Sequence, residues 1–439
     1  MNQGKNLGWR VTFAGHGLNL ALGILYTWSV FKVYIEESIL AGDGLFNWNM
    51  ASLNDPYAVC CLVFAFTMIY AGRIQDRLGP RFTAVIGGVL TGIGFIMVFF
   101  SNAWIVWIIG FGVFTGMGIG FGYASPTPPA IKWFPPAKTG MIAGIVVAGF
   151  GLASVYTAPL ATYLINTFGL SNAMLIFGIS FLIIVCGLAQ LLVNPPKGYV
   201  HPETEAANAA AAAAGKKAAP PQVDIGPGEM LRTLTFWKLW IMFAIGAGAG
   251  LMIIGNVAGM ARGSMGDLAW VVVALLAVGN ALGRIGGGML SDRIGRTNTL
   301  FVMLIFQAMV IWSLIYIGQS GAFLIVTAAT LIGFNYGTNL SLFPSITKDF
   351  YGLKNFGVNY GLIFSSWGIG GFIFPRVSQM IIAHTESFNW SYILAGGLLV
   401  LAAIMALVIR APERAAEKKA APARQDTLYP LHVRIRLKE

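Results

Sequence analysis

The stretch VGNALGRIGGGML, residues 278–290, places one full positive charge inside an apolar run of small residues. The run from about 268 to 290 is long enough to cross a bilayer core of ~30 Å at ~1.5 Å per residue. An arginine at that depth costs about 3 kcal/mol on insertion scales, so Arg284 should face a cavity or a partner. Asn280 lies four residues earlier, on the same helical face. Because a guanidinium matches a carboxylate in shape and charge, we predict that Arg284 and Asn280 form an anion-binding site.

The composition is that of a polytopic membrane protein. The chain has 439 residues, of which 56% are hydrophobic and only 10% are charged, whereas soluble proteins carry about 25% charged residues. The net charge of +11 does not indicate nucleic-acid binding, because the basic residues fall in alternate short loops. The first apolar segment is too long for a cleavable signal peptide.

Apolar windows predict twelve membrane-spanning helices, at about 10–34, 54–74, 82–101, 104–127, 139–165, 172–193, 236–260, 268–290, 298–317, 321–345, 356–382 and 391–410. Lysine and arginine concentrate before the first span and after each even-numbered span. The positive-inside rule therefore predicts that both termini are cytoplasmic, in a multi-pass protein of the inner or plasma membrane.

Two sequence echoes indicate an internal duplication. The loop GRIQDRLGPR (72–81) and the loop GMLSDRIGR (288–296) share the frame G-x-x-x-D-R-x-G, and GFGY (120–123) is echoed by GFNY (333–336). We therefore predict an all-α fold of two six-helix bundles, at 1–193 and 235–410. A cytoplasmic linker at 194–234 joins them, and a cytoplasmic tail occupies 411–439.

The duplicated loops predict a gate. Glycines permit close helix packing, and the carboxylate can pair with an arginine or cap a helix; ordinary charge anchoring at the membrane surface is the alternative. The loops resemble the signature of the major facilitator superfamily, which implies a role in conformational gating. The predicted gating residues are Gly72, Asp76, Arg77, Arg81, Gly288, Asp292, Arg293 and Arg296.

Aromatic and small polar residues complete the predicted binding site. Tyr123 and Tyr336 lie at a depth similar to that of Arg284 and could each supply a ring and a hydroxyl, although packing among neighbouring glycines is an equal alternative. Tyr26, Phe364 and Ser365 are weaker candidates for the same cavity, where aromatic packing would be the commoner role.

Four further motifs are similar to the oxalate/formate antiporter-like branch of the monocarboxylate porters: GILYTWSV (23–30), KWFP (132–135), EMLRT (229–233) and NYG (359–361). The chain also resembles bacterial lactate transporters related to the animal monocarboxylate transporters. The resemblance implies alternating access and transport of a small carboxylate, often with a proton. The leading prediction is proton-linked symport of a short monocarboxylate, with L-lactate first and pyruvate-like acids next.

Two departures from these relatives refine the prediction. Asn280 stands where the animal transporters carry an aspartate tied to proton coupling, so the proton site must lie elsewhere or on the substrate carboxylate. Trp367 stands where the oxalate exchanger has a second cation, which favours a monoanion. A carboxylate exchanger is the first alternative, and a sensor that does not translocate is the second. The sequence shows no nucleophile–base set and no metal-ligand cluster, so we expect no enzyme, cofactor or metal.

Overall fold

Long apolar helices build the amino-terminal half of the protein. The structure, a computed structural model, describes residues 6–213, 224–254, 269–317 and 321–412. Helices suit these segments because a helix satisfies every backbone polar group within the segment. Those of the first half are α1 (Gly8–Leu22), α2 (Trp28–Ala41), α3 (Asp55–Leu78), α4 (Pro80–Phe100), α5 (Trp104–Trp107), α6 (Gly116–Ala124), α7 (Thr127–Lys132), α8 (Thr139–Phe168) and α9 (Leu170–Ala189).

The remaining described residues form two short helices and six long ones. The short helices, α10 (Pro202–Ala213) and α11 (Pro227–Met230), fall within the predicted linker. The long ones are α12 (Leu234–Ile254), α13 (Ala269–Ile294), α14 (Arg296–Ile317), α15 (Ala322–Tyr351), α16 (Phe356–Thr385) and α17 (Asn389–Val408). The predicted all-α fold class is therefore confirmed.

Each of the twelve predicted spans coincides with a helical segment. Among the described residues, 11 helical segments are long and apolar enough to cross a membrane, and α16 is not among them. Helix α16 has 30 residues, which is ample length for a span. The predicted end of the seventh span, 255–260, lies outside the described residues.

The first predicted span, at about 10–34, is a broken helix. Helix α1 gives way to a 3₁₀ turn at Gly23–Thr27, and α2 then continues to Ala41, beyond the predicted end at residue 34. The break coincides with close packing on α8, since a Cβ on Gly23 would stand 2.2 Å from the Cβ of Ala153. A π-helical stretch, Ile108–Thr115, similarly interrupts the fourth span. Such irregular turns are common at functional sites.

The two halves meet along two equivalent pairs of helices: α3 packs on α16, and α8 packs on α13. Glycines bring the backbones together in each pair. A Cβ on Gly72 would stand 2.1 Å from the carbonyl oxygen of Gly357, and one on Gly288 would stand 2.2 Å from that of Gly140. These contacts involve the first glycine of each duplicated loop, so the repeat in the sequence is also a repeat in the packing.

The end of the predicted linker is attached to the second half. The carboxylate of Asp224 accepts hydrogen bonds of 3.0 Å from the backbone N–H groups of Leu353 and Lys354, just before α16. The start of the linker is held by an ion pair of 2.7 Å between Lys138 and Glu203. Residues 214–223 and those after 412 lie outside the described part of the chain. The boundaries predicted for the bundles, linker and tail remain predictions.

Candidate functional site

Arg284 is fully buried, and its neighbours fix the orientation of its guanidinium. Nε donates a hydrogen bond of 2.9 Å to Oδ1 of Asn280. Nη1 donates one of 2.5 Å to the carbonyl oxygen of Val147 on α8, across the contact between the halves. Nη2 has no hydrogen-bond partner among the described residues. Since none of the ion pairs found in the described chain involves Arg284, a buried positive charge is left available for an anion.

Arg284 borders a narrow, largely aromatic cavity between the two halves. Rings from both halves meet around it, with ring centroids 5.1 Å apart for Phe64 and Phe364 and 5.2 Å apart for Phe364 and Trp367. Apolar walls exclude water and strengthen the field of the guanidinium. The lining residues are Tyr26, Phe64, Tyr123, Phe150, Arg284, Leu340, Phe364 and Trp367.

A second, larger cavity lies among α12, α16 and α17. Its lining is apolar apart from the hydroxyls of Ser378 and Ser391, which are hydrogen-bonded to each other at 3.0 Å. It contains no charged side chain that could balance an anion. The smaller cavity at Arg284 is therefore the candidate site.

The three predicted tyrosines have different positions at this site. Tyr26 and Tyr123 line the cavity. Tyr336 lies behind it, where its hydroxyl accepts a hydrogen bond of 2.9 Å from Nε1 of Trp367 and is 3.3 Å from the hydroxyl of Tyr26. The structure thus gives Tyr336 a supporting position, holding Tyr26 and Trp367 at the wall.

Phe364 and Ser365, adjacent in sequence, point in different directions. Phe364 lines the cavity. The hydroxyl of Ser365 accepts a hydrogen bond of 3.0 Å from Nε1 of Trp240 and donates one of 2.7 Å to the carbonyl oxygen of Leu362. Ser365 therefore connects α12 and α16 through its hydrogen bond to Trp240. This geometry does not support the substrate contact predicted for Ser365.

The sequence reasoning missed three wall residues, Phe64, Phe150 and Leu340. The internal repeat could have identified Phe64. It precedes Asp76 by twelve positions, as Asn280 precedes Asp292. By the same count Met68 corresponds to Arg284. Phe64 thus matches the position of Asn280, but the first half has an uncharged methionine where the second half has Arg284.

The predicted gating aspartates each cap a helix of the opposite half. Asp76 accepts hydrogen bonds from the backbone N–H groups of Gly357 at 3.0 Å and Val358 at 3.1 Å, in the first turn of α16. Asp292 accepts them from Gly140 at 2.9 Å and Met141 at 2.8 Å, in the first turn of α8. A carboxylate at a helix N-terminus is favoured by the orphan N–H groups and the helix dipole. We call the end of the molecule with these two contacts the gate face.

Asp292 also belongs to an ionic cluster. Among the described residues no arginine pairs with Asp76, and the cation that interacts with it is Lys132. Arg296 contacts Asp292 at 2.6 Å and Asp349 at 2.8 Å. Lys348 lies 3.3 Å from Asp349 and donates a hydrogen bond of 2.9 Å to the hydroxyl of Thr139. Since Thr139 is the first residue of α8 and Lys348 lies in the last turn of α15, the cluster joins the two halves at the gate face.

Three of the predicted gating arginines lie outside these contacts. Arg77 and Arg293 are exposed. Arg81 is exposed too, and its Nε donates a hydrogen bond of 3.2 Å to the carbonyl oxygen of Leu192, within its own half. Their positions suit charge anchoring at the membrane surface, the alternative considered for these loops.

Two helical halves, a buried site between them and crossed contacts at one face define a membrane transporter of repeated architecture. The family described as the Major Facilitator Superfamily matches residues 17–375 and 263–438. The chain belongs to this superfamily.

Similar proteins agree with this assignment. The oxalate:formate antiporter of Oxalobacter formigenes is 24% identical, over 78% of this chain and 77% of its own. Human monocarboxylate transporter 11 is also 24% identical, over 74% of this chain and 68% of its own. The solved structure of the proton:xylose symporter XylE has a TM-score of 0.69 at 13% identity and covers 93% of this chain and 97% of its own. That likeness confirms the predicted fold of twelve helices.

Proposed function

We propose that this protein transports short monocarboxylates, L-lactate first and pyruvate-like acids next, by alternating access. The observation that carries the proposal is the buried guanidinium of Arg284, with Nη2 unpartnered among the described residues and aromatic walls beside it. In that role Arg284 binds the carboxylate, Asn280 orients the guanidinium and the rings exclude water. The crossed caps at the gate face act as the gate on one side of the membrane, which the loop charges make the cytoplasmic side.

The charge of the wall favours a monoanion. Arg284 is the one charged side chain that lines the cavity in the described structure. A dicarboxylate would bring two negative charges against one fixed positive charge, and burying the excess charge is costly. Trp367, at the position of the second cation in the oxalate exchanger, instead adds a ring to the wall.

Two coupling modes fit this site. In proton symport the proton enters with the acid, because the described cavity wall carries no carboxylate to hold it. In anion exchange the outgoing acid replaces the incoming one at Arg284. The likeness to an oxalate:formate antiporter supports exchange as the second candidate. Symport remains the proposal because the related monocarboxylate transporters often move a proton.

An imposed pH gradient separates the two modes. In proteoliposomes free of internal carboxylate, an acidic outside and alkaline inside should drive accumulation of labelled lactate above its external concentration. Collapsing the gradient with a protonophore should abolish the accumulation, and liposomes without protein give the background. Uptake that requires carboxylate inside the proteoliposomes, and that does not change with the pH gradient, would instead establish exchange.

Asn280→Asp tests the orienting role of Asn280. The new carboxylate would lie where Oδ1 now accepts a hydrogen bond of 2.9 Å from Arg284, so it should pair with the guanidinium and compete with the substrate. We expect KM for lactate to rise by roughly tenfold at neutral pH, with partial recovery as acid protonates the carboxylate. Initial rates at several pH values measure this. An unchanged KM would show that Asn280 and Arg284 do not act together.

A further inference from the structure

Two buried tyrosine hydroxyls beside Arg284 have no use in the site described so far. The hydroxyls of Tyr123 and Tyr360 meet hydrogen-bonding geometry with no described residue. Both side chains are nearly inaccessible, at 2% and 3% exposure. The two hydroxyls nevertheless lie close enough to interact with each other, and that of Tyr123 also interacts with the guanidinium of Arg284. A buried hydroxyl without a partner costs about 1–3 kcal/mol, so a ligand that pairs with it would remove that cost.

The two tyrosines reach this place from opposite halves. Tyr123 is on α6 and Tyr360 is on α16. Each ring packs on Phe364, with centroid distances of 5.4 Å for Tyr123 and 5.7 Å for Tyr360. Phe364 is itself part of the cavity wall. The rings are therefore held firmly, and the hydroxyls have defined positions at the edge of the site.

Arg284 has enough N–H groups to bind the substrate carboxylate by itself. The two tyrosine hydroxyls are therefore available to bind another part of the substrate. Nε and one Nη1 hydrogen are occupied by Asn280 and Val147. The other Nη1 hydrogen and both Nη2 hydrogens remain, which is enough to contact both oxygens of one carboxylate. In a short acid the atom next to the carboxylate is carbon 2. Its substituent is the group that a neighbouring pair of hydroxyls would meet.

We infer that the Tyr123–Tyr360 hydroxyl pair selects acids that carry an oxygen on carbon 2, as a hydroxyl or a keto group. This inference rests on the proposed function and deepens it. A hydroxyl both donates and accepts, so the pair can serve either oxygen type. An acid with only hydrogens on carbon 2 offers the pair no oxygen to bind, and sites built to bind a polar group reject analogues that lack it.

Lactate and propionate form the matched pair of probes, because they differ by the hydroxyl on carbon 2. Inhibition constants for both acids are measured against labelled lactate uptake in proteoliposomes, for the wild type and Tyr360→Phe. We expect the wild type to prefer lactate, and the variant to bind lactate roughly five- to tenfold more weakly with propionate unchanged. Tyr123→Phe should behave alike. Removing a hydroxyl keeps the ring, so the fold should survive.

Tyr351→Phe is the matched control, since Tyr351 is buried at the end of α15 and its hydroxyl lies 3.5 Å from that of Thr233. It should leave both constants unchanged. Equal weakening of lactate and propionate in Tyr360→Phe would overturn the inference, because the hydroxyl would then serve the carboxylate. No change in either would overturn it as well, leaving only a packing role. A wild type that takes up neither acid would instead refute the proposed function.

Discussion

Arg284→Ala is expected to abolish monocarboxylate uptake while the protein remains folded in the membrane. Losing one partner of a buried, hydrogen-bonded charge pair costs about 2–5 kcal/mol, so substrate affinity should fall by at least roughly thirtyfold. The fold should tolerate the change, because the variant removes a buried charge that has no ionic partner among the described residues. Uptake of labelled lactate into proteoliposomes, with size-exclusion profiles of the purified protein, measures both effects.

Two further variants test whether the loss of uptake is specific to the guanidinium of Arg284. Arg376→Ala removes an exposed arginine of α16 that lies over the ring of Phe372 at 5.6 Å, and uptake should continue. Arg284→Lys keeps the charge but loses the planar donors to Asn280 and Val147, so we expect only partial uptake. Lactate uptake by Arg284→Ala at the wild-type rate would rule out the proposed site.

Asp292→Ala is expected to open the gate face and to reduce transport by about tenfold or more. The carboxylate holds the first turn of α8 through Gly140 and Met141 and pairs with Arg296. Hydrogen bonds to charged groups contribute about 1.5–3 kcal/mol each, so their loss should shift the balance between closed and open states strongly. Asp292→Asn keeps one acceptor and should have a smaller effect.

Cysteine labelling reports the opening directly. Ser291 is 2% exposed within the closed contact, so a cysteine there should react slowly with a water-soluble maleimide. The reaction should become faster when Asp292→Ala is added, in a background without Cys60, Cys61 and Cys186. Arg293→Ala, next to the contact but exposed, is the control and should leave the rate unchanged. Equal rates with and without Asp292→Ala would contradict the gating role.

The helices and the central charge could be predicted from sequence because both depend on local patterns. A helix needs about 20 apolar residues to cross the hydrocarbon core of a bilayer, and windows of that length in the sequence predict the spans. Arg284 stood out because a charge in such a window is costly, and spacing along the helix linked it to Asn280. The structure shows that link as a hydrogen bond.

The direction of each side chain around the cavity could not be predicted, because it depends on how the helix is rotated against its neighbours. Phe364 faces the cavity while Ser365, about 100° further round the helix, contacts Trp240. Tyr123 and Tyr336 occupy matching positions in the repeat, yet only Tyr123 lines the wall.

The hydrogen-bond partners of the gating aspartates could not be predicted from the sequence either. Capping of a helix was one of the two roles considered for the carboxylate, and the capped helix lies in the other half of the chain. Asp76 and Gly357 are 281 residues apart in sequence, and only the packing of α3 on α16 brings them together. Lys348 and Asp349 carried no motif, so their place in the cluster with Arg296 was missed.

If the proposed alternating access holds, the hydrogen bond from Arg284 to Val147 should make the substrate affinity depend on which way the transporter faces. Val147 belongs to the first half and Arg284 to the second, so a transport step that separates α8 from α13 would remove the carbonyl oxygen that now accepts a hydrogen bond from Nη1. In the open state the guanidinium has one more hydrogen to offer the acid, and water can reach it. We therefore expect the dissociation constants measured from the two sides of the membrane to differ, which would give the carrier a thermodynamic preference between loading and release.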